Sequence, residues 1–520
     1  MKSISFAQGV DQIIQEFELS THYPPKVLSE AELLSEDSLG HVISGRVDLR
    51  KEKVVTIDGE TARDFDDAVS VQQKPNGHFI LKVSIADVSY YVSVGSALDH
   101  EAYRRATSVY FPDRVLPMFP ERLSNDLCSL VPRRDRLTVT AEMEFDPKGK
   151  KIASRFYRSV IRSFARLTYT EVRKVLLDRD PALRKRHEPL IADLELMADL
   201  AERMRQRRFA RGSLDFDLPE PEIVLDLEEG GIDKIVKAER NLAHRLIEEF
   251  MIAANESVAS FLRDRKAPAV YRIHPSPTPE KIKDFVLLLH NLGIPFRKKR
   301  SFEPRDFSRI LDFVRGGKEE KIINGMLVKT LERAIYNTKN VGHFGLASEC
   351  YTHFTSPIRR YPDLMVHRAL CQLMGVVRGR AGSPPNFSER PRRFQGGAQA
   401  NRLEEEARHC SERERVAMKA EWASRDLAAA FFMKDKEGEK FPAIISGMTK
   451  FGFFVEISPY YVQGLVPLRS LKDDYYVLRS TGHEIVGLRK KRRFRLGEPI
   501  TVILERVNLE KRWIDFSLAK

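Results

Sequence analysis

Residues 54–72 read VVTIDGETARDFDDAVSVQ, and the reading of this stretch organises the rest of the 520-residue chain. Asp58, Asp64, Asp66 and Asp67 fall within ten positions. Residues 54–57 are apolar and largely β-branched, which predicts a buried strand with Asp58 at its end; the alternation that resumes over 68–71 predicts a second strand. The acids then occupy a turn between strands. Carboxylates this close raise one another's pKa, and burial raises them further, so the set calls for compensating positive charge. A divalent cation would supply it. With no His or Cys beside them the donors are all oxygen, which suits Mg²⁺ or Mn²⁺ over Zn²⁺. Two such ions about 3.5–4 Å apart would activate water and stabilise the leaving oxygen of a displacement at phosphorus. The alternatives are a solvated acidic turn or a Ca²⁺ loop. Counted from Asp58, an EF-hand needs Gly sixth and Glu twelfth, where this chain has Arg63 and Val69.

Around this acidic point the chain is basic, with 87 Lys and Arg against 74 Asp and Glu. The excess positive charge must lie elsewhere on the surface, where it would attract a polyanion by counterion release; nucleic acid is the first expectation. There is no run of 18 or more apolar residues and no basic start followed by an apolar core, so neither a membrane partner nor export is expected. Cys128, Cys350, Cys371 and Cys410 are far apart and form no CxxC pair, which argues against a zinc knuckle or disulfide framework and fits a reducing cytoplasm.

The length implies two or more units. Residues 1–49 have too little apolar content for a domain and read as a lead-in packed against the residues C-terminal to it. A hairpin turns at Pro75, Asn76 and Gly77. Residues 103–135 form a Pro-punctuated loop set that includes Tyr110, and long ordered loops in a compact domain are usually functional. In YTHFTSPIRRYPDLMVHR, 351–368, Pro357 is expected to open a helix capped by Thr355 or Ser356, which would put Arg359 and Arg360 in its first turn, suited to phosphate. His343, His353 and His367 match no metal-ligand spacing and read as structural. Residues 375–400 are rich in Gly, Pro and Arg and read as a basic loop, followed by one long helix over 402–432. From 439 the pattern becomes five short strands, as in a small Greek-key barrel. Phe451, Phe453 and Phe454 lie in its second strand, and 488–495, LRKKRRFR, is a dense basic run; exposed aromatics beside such charge hold single strands, the alternative for Phe453 being the core, since alternation requires some of these to be buried.

Several ordered motifs then converge. The D-x5-D-x-D-D spacing, SVYFPDRVLPM at 108–118, LSNDLCSL at 123–130, IEEFMIAAN at 247–255, GHFGLA at 342–347 and YTHFTSPIRRYPDL at 351–364 resemble the RNB catalytic domain of the exoribonuclease II and exoribonuclease R family. The Tyr-Pro-Asp after the double arginine resembles the R branch more closely. KFPAIISGMTKFGFFVEI and VQGLVPLRSL resemble the family's S1 RNA-binding domain. The resemblance implies an α+β chain: a lead-in over 1–49, an RNB domain of mixed sheet and packed helices over 50–436, and an all-β S1 (OB-fold) barrel over 437–520. It implies processive, Mg²⁺-dependent 3′-to-5′ hydrolysis of single-stranded RNA to nucleoside 5′-monophosphates, with the four aspartates as catalytic and metal-binding acids and Arg359 holding the phosphate. Tyr110 and Phe216 match residues that clamp the last stacked bases, Tyr169 another residue on the RNA path, and Glu414 with Arg415 a pair on the channel-lining helix. The residues before Asp58 are too few for one of the family's cold-shock barrels and its connection, so these domains and the Lys-rich tail are not expected within this sequence. A monomer with no small-molecule cofactor is expected; no motif designates a helicase or ribosome as a partner. The competing expectation is a regulator that keeps the fold and binds RNA without cutting it.

Overall fold

The computed structural model describes residues 4–519 apart from 36–41, 215–220, 226–231, 238–239, 297–301, 318, 375–396 and 480–481. The expected position of Phe216 and nearly all of the expected basic loop therefore lie outside the described residues.

The alternating and apolar runs of the first 170 residues assemble into one mixed sheet. Its strands are β1 (Val47–Asp48), β2 (Val55–Asp58), β3 (Asp67–Gln73), β4 (Phe79–Ala86), β5 (Asp135–Phe145), β6 (Lys151–Arg162) and β7 (Ala165–Thr168). They lie in the order β1-β6-β5-β4-β3-β2-β7. Both edge strands pair parallel, β1 with β6 and β7 with β2, while the interior pairs are antiparallel. The expected hairpin joins β3 to β4, with Gly77 at φ +80° where a Cβ would be strained.

Alternation decides what each face touches. Val69, Val71, Leu81, Val83, Ile85 and Val139 point to a core shared with helices Ile191–Arg211 and Leu242–Asp264. Ala68, Ala86, Tyr157 and Ile161 point the other way, toward helices Ala97–Arg105 and Tyr361–Leu373. That second face also buries polar groups: the hydroxyls of Ser84, Thr140, Ser159 and Thr138 form a chain of hydrogen bonds of 2.6–2.8 Å. Buried polar groups of this kind are tolerated because each has a partner.

Helix Gly397–Lys434, 38 residues and so about 57 Å long, runs from the catalytic core to the C-terminal barrel. The lead-in packs on this helix, as its composition implied. Phe6, Val10, Ile13 and Ile14 of helix Phe6–Glu16 share a core with Ala417, Ala420 and Leu427 of the long helix, and Phe6 meets Phe431 edge-on at 5.8 Å. The barrel is closed by Lys440–Met448, Gly452–Ile457, Val462–Pro467, Trp513–Leu518 and Pro499–Asn508 in that order round. A three-stranded sheet, Tyr476–Leu478, Glu484–Gly487 and Arg493–Arg495, is inserted before its fourth strand in sequence.

Candidate active site

The acids stand where the sheet ends. Asp58 closes β2 and Asp67 opens β3, and between them the chain is stitched to residues 129–130. Phe65 N–H donates to Ser129 Oγ (3.0 Å), the Ser129 hydroxyl donates to the Arg63 carbonyl (2.8 Å), and Leu130 N–H donates to the Phe65 carbonyl (3.0 Å). Arg166 of β7 holds the other side, donating to the carbonyls of Gly59 (2.7 Å) and Glu60 (2.8 Å).

The four carboxylates differ in environment. Burial, reinforced by Asp67 and Asp66, pushes Asp58 up to about 8 against the pull of Arg166. Its Oδ2 is buried with no hydrogen-bond partner among the described residues. Asp66 is 3% exposed; it accepts from Ile358 N–H (2.9 Å) and from Arg359 Nε (3.3 Å). Burial still outweighs that guanidinium and holds Asp66 well above its usual range. Asp67 is pushed up to about 6 by burial, opposed by Arg359 and Arg360. Asp64 accepts the Tyr110 hydroxyl at 3.2 Å.

The segment that brings Arg359 here departs from expectation. The helix opens at Tyr361, with Pro362 in its first turn, not at Pro357. Arg360 is extended (φ −137°, ψ 122°) because it bridges to Thr107, so both arginines precede the helix. The Arg359 carbonyl accepts from Ser108 N–H (3.0 Å), and its guanidinium donates to Ser356 Oγ (3.0 Å) while remaining 43% exposed. Arg360 was expected to face substrate as well, but its guanidinium is tied to Asp363 at 2.7 Å. Asp363 also accepts Ser356 N–H at 2.8 Å, so Arg360 braces the turn that presents Arg359.

Two tyrosines flank the acids. Tyr110 is 39% exposed, and its backbone N–H donates to Glu421 of the long helix at 2.9 Å. Tyr169 follows Thr168, which the parallel register sets opposite Asp58, and its ring stacks on His244 at 3.9 Å and 20°. Glu414 faces inward and pairs with Arg272 at 2.6 Å, whereas Arg415 is exposed on the same helix. In the barrel Phe451 is 62% exposed, but Phe453 must be withdrawn from the RNA-facing set. It is fully buried and stacked on Phe494 at 5.0 Å, because it shares the inward side of its strand with Val455 and Ile457. Phe454 takes the outward side.

Sequence reasoning passed over Arg166, Arg272, Tyr336 and Asp363. Arg272 lies over the Tyr336 ring (4.7 Å), and the Tyr336 hydroxyl and His353 Nδ1 are hydrogen-bonded at 2.8 Å. The histidines bear out their structural reading: His367 Nε2 bonds the Phe354 carbonyl at 2.8 Å. Only Asp363 carried a signal, as an acid in the first turn of a helix, three residues after an arginine.

An acid set beneath an arginine, walled by tyrosines and followed by a small barrel, defines an RNB-type nuclease core joined to an S1 module. Residues 46–375 match the RNB domain and 434–519 the S1 RNA binding domain. The chain belongs to the ribonuclease R family of exoribonucleases. It is 42% identical to ribonuclease R of Aquifex aeolicus over 98% of its own length and 70% of that protein's, and 42% identical to ribonuclease R of Escherichia coli over 98% and 62%. It thus spans under two thirds of the latter. Among solved structures it resembles Mycoplasma genitalium RNase R in complex with ribose methylated single-stranded RNA, with TM-score 0.89, 28% identity, and 99% and 78% of the two chains covered.

Proposed function

We propose that this chain degrades single-stranded RNA processively from its 3′ end to nucleoside 5′-monophosphates. The observation that carries this reading is the buried acid set facing Arg359: nothing in the fold requires three carboxyls held above their usual range, whereas a site for hard dications does. Asp58, Asp64, Asp66 and Asp67 fit Mg²⁺ or Mn²⁺, being all oxygen, with Asp58 Oδ2 buried and unpartnered. No three His, Cys, Asp or Glu side chains among the described residues converge on a common point as they stand. Asp66 is turned toward Arg359 and Ile358, so loading the site would exchange that guanidinium for ions. Bound ions would supply a nucleophilic hydroxide and neutralise the leaving oxygen.

The chain's own residues do the remainder. Arg359, released from Asp66 and half exposed, is free to fork onto the scissile phosphate, a charge-assisted contact that strengthens as negative charge develops. Tyr110 offers a ring beside Asp64, and Tyr169, backed by His244, offers another beyond Asp58; bases stacked there would fix the last phosphates over the acids. Phe216 is proposed to complete the clamp. Arg415 on the long helix and Phe451 on the barrel would hold the incoming strand, with the lead-in (1–49), catalytic (50–436) and barrel (437–520) segments acting as one path.

Among the described residues no helix is long and apolar enough to cross a membrane, and the four cysteines are free thiols. The free thiols fit a reducing compartment, and a monomer acting in the cytoplasm is proposed. The test is a time course on 5′-labelled RNA with Mg²⁺, with and without EDTA, beside a blunt duplex and a deoxy oligomer. Shortening from the 3′ end, stopped by EDTA and slow on the duplex and on DNA, is expected. RNA bound but left whole in ample Mg²⁺ would instead establish the non-catalytic regulator.

A further inference from the structure

A second cleft, with a volume of 770 Å³, lies between the β5–β6 turn, the C-terminal end of helix Ile191–Arg211, the middle of helix Leu242–Asp264 and residues 347–350. It is remote from the acids. In the sheet register Asp67 pairs with Ile85 at one end, while Gln73, Phe79 and Phe145 line up at the other, beside this cleft. Six strand steps separate the two ends, roughly 20 Å.

Its walls are basic: seven Lys and Arg line it against three Glu. Two of those glutamates are spent, Glu249 on Arg208 (2.6 Å) and Glu256 on Arg211 (2.6 Å), while Glu349 stands at the rim. Arg263 is paired with Asp264 at 2.9 Å. Lys150, Lys151, Arg207 and Arg305 have no carboxylate within ion-pair distance among the described residues. Lys151 is half-buried, and its ammonium donates to Ser257 Oγ at 2.6 Å, a hydroxyl that itself donates to the Ala253 carbonyl. An ammonium drawn into a wall with one neutral acceptor retains two donors and its full charge. Burial also draws Lys151 below the usual lysine range, the direction an incoming anion would reverse.

The turn that carries these lysines is fixed in place. Asp146 Oδ1 accepts from Lys148 and Lys150 N–H, each at 2.8 Å, and Arg203 donates to the Pro147 carbonyl. Gly149, at φ +72°, sits so close to the helix that a Cβ would lie 2.8 Å from Arg203 Cβ. Interspersed with the cations on the same elements are Phe145, paired with Lys151 in the strand register, Met204, Ile252 and Ala253. An excess of cations with charge to spare, in a volume within the range of small-ligand sites, suits an anionic molecule of that size.

We propose that this cleft is a separate site for a phosphorylated small molecule of nucleotide size. The proposal does not rest on the hydrolysis reading. It is tested by calorimetric titration of the full chain with adenosine 5′-monophosphate, without divalent ions and with the RNA path filled by a ribose-methylated oligonucleotide. One equivalent should bind. Lys151→Met, and separately the surface pair Lys150→Ala with Arg207→Ala, should weaken it about 10-fold or more, as expected for loss of a charge-assisted hydrogen bond. The surface pair should leave RNA hydrolysis and the melting midpoint unchanged, which separates loss of the site from loss of the fold. Inorganic phosphate binding as tightly as the nucleotide would show the phosphate alone to be read; much weaker phosphate binding would show that the nucleoside contributes. No binding once the RNA path is filled, equal affinity in the variants, or displacement of the nucleotide by a second equivalent of RNA would each overturn the proposal.

Discussion

Two buried aspartates stand at the same end of the sheet and behave oppositely. Asp87 follows β4 and Asp66 precedes β3, close enough that Ala86 N–H donates to the Asp66 carbonyl at 2.9 Å. Their side chains are 0% and 4% exposed. Asp87 meets Arg46 at 2.6 Å and accepts the Ser89 hydroxyl at 2.6 Å, and it is held below its usual range despite burial. Asp66 has a longer contact, 3.3 Å, to an arginine that is 43% exposed, and it stays well above. Arg46 is itself 3% exposed and has nowhere else to go. A cation desolvated with its partner completes a structural pair; a half-solvated one leaves the carboxylate's demand open. The first arrangement closes the sheet and the second keeps a site ready for a ligand.

The comparison is broken most decisively by removing one charge from each member. Asp66→Asn is expected to slow RNA hydrolysis by about 10⁴-fold or more, about 5.5 kcal/mol of barrier, while RNA affinity, read by filter binding, stays nearly as it was. Turnover equal to the parent's would remove Asp66 from the chemistry. The reverse profile is expected of Asp87→Asn. Stripping one partner from a buried pair costs about 3–5 kcal/mol of stability, visible in denaturant unfolding, with cleavage per folded molecule unchanged. If both substitutions destabilised equally, the distinction between the two aspartates would collapse.

Arg359→Met tests the open arginine directly. Losing one donor aimed at developing charge should cost about 10²–10³-fold in the single-turnover rate, with a smaller effect on stability than the same change at Arg46. Tyr110→Ala removes a stacking surface and should weaken binding of short oligoribonucleotides by about 1–3 kcal/mol. Its effect should fade as the oligonucleotide lengthens toward the barrel, because Arg415 and Phe451 then share the load.

How much of this was legible depended on the range over which each feature is decided. The strand-turn-strand around the acids and the five-stranded barrel follow from local periodicity, which the residues themselves carry. Phe453 divided two local signals: strict alternation with Val455 and Ile457 turns it inward, as the core alternative had it, while an aromatic beside a basic run pointed to RNA. The start of the helix at Tyr361 was not local at all: Arg360 is extended because Thr107, more than 250 residues earlier in sequence, pairs with it. Tyr169 reaches the acids through a parallel register between β2 and β7, and the basic cleft arises where five segments meet. Tertiary pairing of this kind leaves no periodic trace in the chain.

The gentlest probe of the same contrast is pH. In the unfolded chain these carboxyls titrate near 3.8, but in the folded protein Asp67 titrates near 6 and Asp58 near 8. Across that interval the folded state keeps protons that the unfolded state has released, so this end of the molecule loses stability as pH rises from about 4 to 8. Asp87 has the opposite sign: its contribution is complete above the unfolded value and disappears as pH falls through its lowered one. Without divalent ions the melting midpoint should therefore drift down by about 1–2 °C for each kcal/mol lost toward pH 8. The drift should flatten in Asp58→Asn and persist in the lysine variants of the remote cleft. Added Mg²⁺ should reverse it, raising the midpoint more at pH 8 than at pH 5, where protons compete for the same oxygens. A midpoint equally insensitive to Mg²⁺ at both values would mean that the acids are reconciled within the protein, as Asp87 is, and would leave the open arginine without a reason to be open.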